Sequence, residues 1–354
     1  MDGKDKSKEN ILKDSNIDES GFVDEAKDNL RQRSTKHAET RGNDIKPSEN
    51  KHEISEPSED KVPGLKLVNH STLPKWLQDN EFHINHNRPP LPSFAECFKS
   101  VFKLHTETGN IWTHLVGCVA AILGMIYYMS VTPVVFQEKL IISAYFVGAI
   151  LCLGFSATFH TVMCHSEFVC TLFRKLDYSG ISCLITGSTV PFYYFIFYCD
   201  FIPKVIYISM VITLGITTLI FSLLDKFGTP EYRATRSLAF VIFGLSAVIP
   251  AVHYMSFMDW DEKINIKTMQ SMFLLAFFYI AGAAIYAARV PEKLFPGKCD
   301  LWIQSHQIFH VFVLAGAYVT YYGLKELVSH RHMYMDCAVV NIPNVTSDNL
   351  TNDI

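Results

Sequence analysis

Charge is scarce over most of this chain. Of its 354 residues, 19% are charged, against about 25% in soluble domains, and the shortage is uneven. Residues 1–61 hold 12 Lys/Arg and 16 Asp/Glu, nearly half of that stretch, whereas the rest of the chain holds 19 of each sign. The net charge of −4 therefore lies in the first 61 residues. That balance excludes a basic nucleic-acid binder, and no nucleic-acid partner is expected. The N-terminus lacks the basic-then-apolar pattern of a cleaved signal peptide, so the first internal apolar segment is left to serve as the insertion signal. The nine cysteines show neither zinc-ribbon spacing nor a disulfide-scaffold pattern. Cys118, Cys152 and Cys183 sit in apolar runs, where a thiol behaves as a small hydrophobe.

What is present falls into four parts. Residues 1–61, rich in Lys, Asp, Glu, Ser and Asn, cannot bury enough apolar surface to offset their ordering entropy and read as a disordered cytosolic tail. Residues 62–110 form a juxtamembrane segment. Within it, Leu73–Leu77 and Arg88-Pro89-Pro90-Leu91-Pro92 are expected to be ordered connections. Ser93 and Glu96 fit a capping box, and Phe94, Phe98, Val101 and Phe102 follow at helical spacing beside Lys99 and Lys103. That pattern predicts a short amphipathic helix at the membrane surface. Residues 111–327 carry seven apolar segments close to the ~20 residues a bilayer requires, at about 111–131, 140–163, 176–198, 203–224, 237–257, 269–289 and 304–327. Residues 328–354 form a C-terminal tail. The expected fold is an all-α integral membrane protein of seven transmembrane helices.

Orientation follows from basic residues in the loops. With the N-terminus cytosolic, the inner loops carry eight: Arg174, Lys175, Lys226, Arg233, Arg236, Arg289, Lys293 and Lys298. The outer loops carry four: Lys139, Lys204, Lys263 and Lys267. An excess of Lys/Arg on the cytoplasmic side predicts N-terminus in and C-terminus extracellular. Sequons at Asn344 and Asn349 follow the last segment and can be glycosylated only if that end is lumenal. Trp112, Trp260 and Trp302 fall at segment ends, where aromatic belts form.

Ionisable residues inside spans are costly and are functional candidates by default. His160 ends the second span, Asp177 begins the third, and His306 and His310 begin the seventh. Under this topology all four share one depth near the inner face. His306 and His310 are four apart and lie on one helical face, as do Ser156 and His160. Three imidazoles plus a water form a catalytic zinc set, and Zn²⁺ suits imidazole when no thiolates are at hand. Bis-His haem wants imidazoles on opposite sides of the ring, which two on one helix turn do not supply. Asp177 can hold a water and accept its proton. Ser156 can donate to a developing oxyanion. Interhelical hydrogen-bond glue remains the plainer use of any one of these histidines. Tyr178 and Arg236 can meet a lipid carboxylate, although Arg236 also serves as ordinary positive-inside anchoring. His114 lies near the inner end of the first span; His253, near the outer end of the fifth and far from the cluster in depth, reads as structural, and His165 and Glu167 read as loop contacts. Asp259, Asp261 and Glu262 make a small acidic outer loop.

The stretches His105–His114, Phe159–Glu167, Lys175–Gly180 and Ser305–His310 resemble the progestin and adiponectin receptor family, specifically its adiponectin receptors, and the resemblance extends over about residues 73–330. It implies a seven-helix plasma-membrane receptor with a cytosolic N-terminus. It also implies zinc held by His160, His306 and His310, Asp177 reaching the metal through water, and Ser156, Tyr178 and Arg236 lining an internal cavity. Implied too are a role in lipid metabolism, hydrolysis of ceramide to sphingosine and a fatty acid, an extracellular adiponectin-like protein ligand, and a cytosolic adaptor. The tail differs from familiar members, and so do the outer loop and C-terminal end. A non-enzymatic receptor with structural zinc, or a membrane-lipid sensor, remains a rival reading.

Overall fold

The computed structural model describes residues 65–225, 232–258, 260, 263–334 and 337. The N-terminal tail, Lys226, Asp259, Asp261, Glu262 and both sequons lie outside the described residues, as does the side chain of Arg233.

Among the described residues there are helices and no strand beyond one isolated bridge, Val68 to Asn87. They run α1 (Phe94–Ser100), α2 (Thr108–Val131), α3 (Phe136–Val162), α4 (Glu167–Ile196), α5 (Phe201–Leu223), α6 (Arg233–Leu245), α7 (Val248–Phe257), α8 (Lys263–Ala288) and α9 (Ser305–Tyr334). Six segments among the described residues are long and apolar enough to cross a membrane: α2, α3, α5, the α6–α7 pair, α8 and α9. Their outer faces carry exposed Val116, Leu123, Ile206, Ile242, Phe273 and Val311. So much apolar surface is intolerable in water and natural against hydrocarbon. The protein is a multi-pass membrane protein.

The remaining long helix, α4, has 30 residues but a more polar interior. It packs against α3, α5, α6 and α9, so it meets protein where the others meet lipid. Close helix approach favours small residues. A Cβ on Gly148 would come within 2.5 Å of the Cys183 carbonyl oxygen, and one on Gly187 within 2.4 Å of the Ala144 carbonyl oxygen. α4 also begins at Glu167, nine residues before the apolar run, because Ser166 caps it by accepting from the Val169 N–H.

Two local expectations need correction. The fifth apolar segment is two helices, broken between Leu245 and Val248. Pro250 explains the break: it offers no N–H to the Ser246 carbonyl and its ring crowds that carbonyl, while it fits the first turn of a new helix. The capping box at Ser93 does not form. Ser93 is the N-cap of α1, but its side chain makes no capping bond, and Glu96 instead pairs with Lys99 at 2.8 Å. α1 does present Phe94 and Phe98 outward and buries Cys97 and Ser100. Just beyond it Phe102 is 79% exposed and sits edge-on to Trp112.

Sequence spacing also missed a disulfide. Cys199, just past α4, is bonded to Cys337, just past α9, with Cα atoms 5.5 Å apart and 138 residues between them.

Candidate metal centre

Two helices bring the three histidines together. His160 lies in the last turn of α3 and His306 and His310 in the first two turns of α9. Their ring centroids are 4.9 Å (His160–His306), 5.1 Å (His160–His310) and 4.7 Å (His306–His310) apart. One nitrogen from each lies within 4.8 Å of the others. Zinc holds nitrogens about 2.0–2.1 Å away, so pairs around one ion are at most about 4.2 Å apart; small ring rotations close the difference. The group can hold a metal ion.

The ring nitrogens are assigned by their partners. His160 Nδ1 is 2.7 Å from Glu107 Oε2. A carboxylate accepts, so Nδ1 carries the proton and Nε2 keeps its lone pair. That Nε2 is buried with no hydrogen-bond partner among the described residues, an orphaned acceptor of the kind a metal satisfies. His310 Nδ1 is 3.2 Å from the Asn110 carbonyl oxygen and 3.3 Å from Thr113 Oγ1. A carbonyl only accepts, so again Nε2 is left for a ligand. His114 stacks on His310 with ring centroids 3.5 Å apart and 4° between planes.

The backbone carrying these rings is fixed from the juxtamembrane segment. Buried Arg88 donates to the carbonyl oxygens of His160 and Thr161 and to Ser100 Oγ, a cation on the C-terminal carbonyls of α3. Fully buried Glu292 accepts from the N–H and the hydroxyl of Ser305 and, at 3.2 Å, from Asn80 Nδ2, an anion on the first turn of α9. His105 accepts from the Glu107 N–H at 3.0 Å through Nδ1 and donates through Nε2 to the Ser100 carbonyl at 3.1 Å. Burial, helped by Arg88, pushes its pKa down to about 3, so it stays neutral. Burial alone would raise the Glu107 carboxyl, but His160, Asn110 and Arg88 together hold it below the usual carboxylate range.

A cavity of about 270 Å³ adjoins the histidines, with side chains of α4, α6, α7, α8 and α9 in its lining. Its walls are mainly apolar, with Phe240, Met269 and Phe273 among them. Ser156, Asp177, Tyr178 and Arg236 line it too. Asp177 is not one of the clustered ligands; its carboxylate faces His160 and the Ser156 hydroxyl. Arg236 is buried, donates to Tyr178 Oη at 2.9 Å and lies over the Tyr178 ring. His253 is elsewhere, bonded to Tyr207 Oη at 3.0 Å. His165 stacks on Phe94. Sequence reasoning missed Arg88, Glu107 and Glu292. For Glu107 the signal was available: a carboxylate at the mouth of an apolar span within the His105–His114 stretch.

Comparison with known proteins fits this geometry. Residues 102–321 match the family model described as haemolysin-III related. The chain is 52% identical over 276 residues to the adiponectin receptor protein of Drosophila melanogaster, covering 77% of this chain and 62% of that one. It belongs to the haemolysin-III-related family, that of the progestin and adipoQ receptors. Within that family, the progestin and adipoQ receptor-like protein 1 of Caenorhabditis elegans is 49% identical over 75% of this chain and 62% of its own length. The heptahelical transmembrane protein 1 of Arabidopsis thaliana is 33% identical over 77% of this chain and 83% of its own. This chain thus spans under two thirds of the length of the fly and worm relatives.

Proposed function

We propose that this chain is an adiponectin-receptor-like, seven-span receptor of the plasma membrane whose metal is zinc and whose cavity takes a membrane lipid amide of the ceramide class. The observation that carries the reading is the meeting of two buried imidazoles and a half-buried third with an apolar cavity that Asp177 also lines. The names of the fly and worm relatives support the receptor class, and the name of the plant relative supports seven spans. α4 is then the seventh, sheltered from lipid. The loop count of basic residues favours a cytosolic N-terminus. The disulfide agrees. From Asp177 to Cys199 α4 climbs about 30 Å, so Cys199 and Cys337 sit at the end away from the histidines. Disulfides persist in oxidising compartments, which supports an outward-facing location for that end.

His160, His306 and His310 would hold the zinc, each through one nitrogen. Zinc, when bound, polarises a carbonyl and makes water a better nucleophile. The residues do the rest. Asp177 holds the attacking water and takes its proton, then returns a proton to the departing amine. The products are a fatty acid and sphingosine. Ser156 donates to oxygen where charge develops. Arg236, with Tyr178, meets the carboxylate of the fatty-acid product. Apolar walls hold the chains without water.

A second reading keeps zinc as a clasp between α3 and α9. Signalling then passes from an extracellular adiponectin-like ligand to a cytosolic adaptor without chemistry. Purified protein separates the two. Asp177→Ala is expected to keep its zinc and lose fatty-acid release from ceramide. Release no greater in wild type than in metal-stripped protein would leave only the second reading.

A further inference from the structure

One side chain at the centre has a role that neither the ligands nor the cavity accounts for. Glu107 is the N-cap residue of α2, yet its side chain makes no capping bond to the helix. Its Oε2 accepts instead from His160 Nδ1 at 2.7 Å and from Asn110 Nδ2 at 2.8 Å. One turn on, the Asn110 carbonyl accepts from His310 Nδ1. A single stretch at the start of α2 thereby touches a histidine from α3 and another from α9. On each it occupies Nδ1 and leaves Nε2 for a ligand. Arg88 holds the opposite end of His160 through its carbonyl.

We propose that Glu107 is a positioning residue of the metal centre: it fixes the tautomer and ring orientation of His160 and raises its strength as a ligand, with the Asn110 carbonyl doing the same for His310. This rests on the reading of His160, His306 and His310 as ligands. Carboxylates behind ligating imidazoles are general in metal sites, and losing one costs about 10–100-fold in metal affinity. A capping or purely packing role for Glu107 predicts no such effect.

The test uses the full chain in detergent, stripped with chelator and titrated with Zn²⁺ and with Co²⁺, whose visible absorption reports ligand geometry. Glu107→Ala is expected to bind both metals about 10–100-fold more weakly and to shift the cobalt band. Glu107→Gln keeps an acceptor for Nδ1–H, so it should restore the band and most of the affinity. Wild type that binds no metal overturns the ligand reading and this inference with it. Wild type that binds, with Glu107→Ala equal to it in affinity and spectrum, overturns this inference alone. If Glu107→Ala does not fold, Glu107→Gln decides. It loses the charge, so a several-fold weaker affinity upholds the assignment, and affinity and spectrum identical to wild type overturn it.

Discussion

His114 and His310, on different helices, lie face to face with ring centroids 3.5 Å apart and planes 4° from parallel. Both are buried. The stack restrains the one torsion that would swing His310 away from His160 and His306. It therefore acts on the metal through His310 without touching the metal. His114→Phe, which keeps a flat ring, should retain most metal. His114→Ala should lower metal affinity several-fold, read by titration of the stripped protein. Equal affinity in both variants would mean that the stack is packing only.

The ligand set gives the sharpest expectation. His306→Ala and His310→Ala each remove one of three nitrogens and should leave little metal after purification, measured by elemental analysis. Because α3 and α9 otherwise touch little, a shared ion also tethers them. Chelation should lower the thermal midpoint, and metal at 100-fold over its Kd stabilises by about 2.7 kcal/mol. Unchanged metal content in both variants would dismiss the assignment.

Close approach of α3 and α4 holds His160 opposite Asp177. Gly148 and Gly187 face backbone oxygen at distances no Cβ tolerates. Gly187→Ala should push the helices apart and cost about 1–3 kcal/mol, measured as a fall in thermal midpoint. Gly244, with nothing near its missing Cβ, is the control and should change little.

Acid should act through His105. Its folded pKa is about 3 and its unfolded value about 6.5. Between those values the unfolded chain binds a proton that the folded one refuses. Stability is therefore intact above pH 6.5 and falls as pH drops toward 3. At pH 5 the loss from this group is about 2 kcal/mol. His105→Asn can still accept from the Glu107 N–H and does not titrate. Metal-stripped variant and wild type should therefore differ less in thermal midpoint at pH 5 than at pH 7.5.

The histidines and Asp177 were legible as one group beside the cavity because costly polar residues stand out against apolar runs. Their convergence needed only a topology. The break before Pro250 was written in the sequence too, but hydropathy alone runs straight over it. Arg88 and Glu292 were illegible for a different reason. They act from loops on the ends of α3 and α9, 72 and 13 residues away along the chain, and nothing local marks which helix end a loop charge will meet. The bond between Cys199 and Cys337 was hidden likewise, since 138 residues separate them.

That bond offers the cleanest test of orientation. Cys97, Cys118, Cys152, Cys164, Cys170, Cys183 and Cys299 are free thiols, and all but Cys299 are in or beside the bundle. On intact cells an impermeant maleimide should label neither Cys199 nor Cys337. After an impermeant phosphine reductant, it should label both, as read by peptide mass spectrometry. Cys199→Ser should leave Cys337 reactive without reductant. Labelling of either residue only after permeabilisation would place that end in the cytosol. A reducing compartment would then face the bonded pair, and the histidines would lie at the outer leaflet.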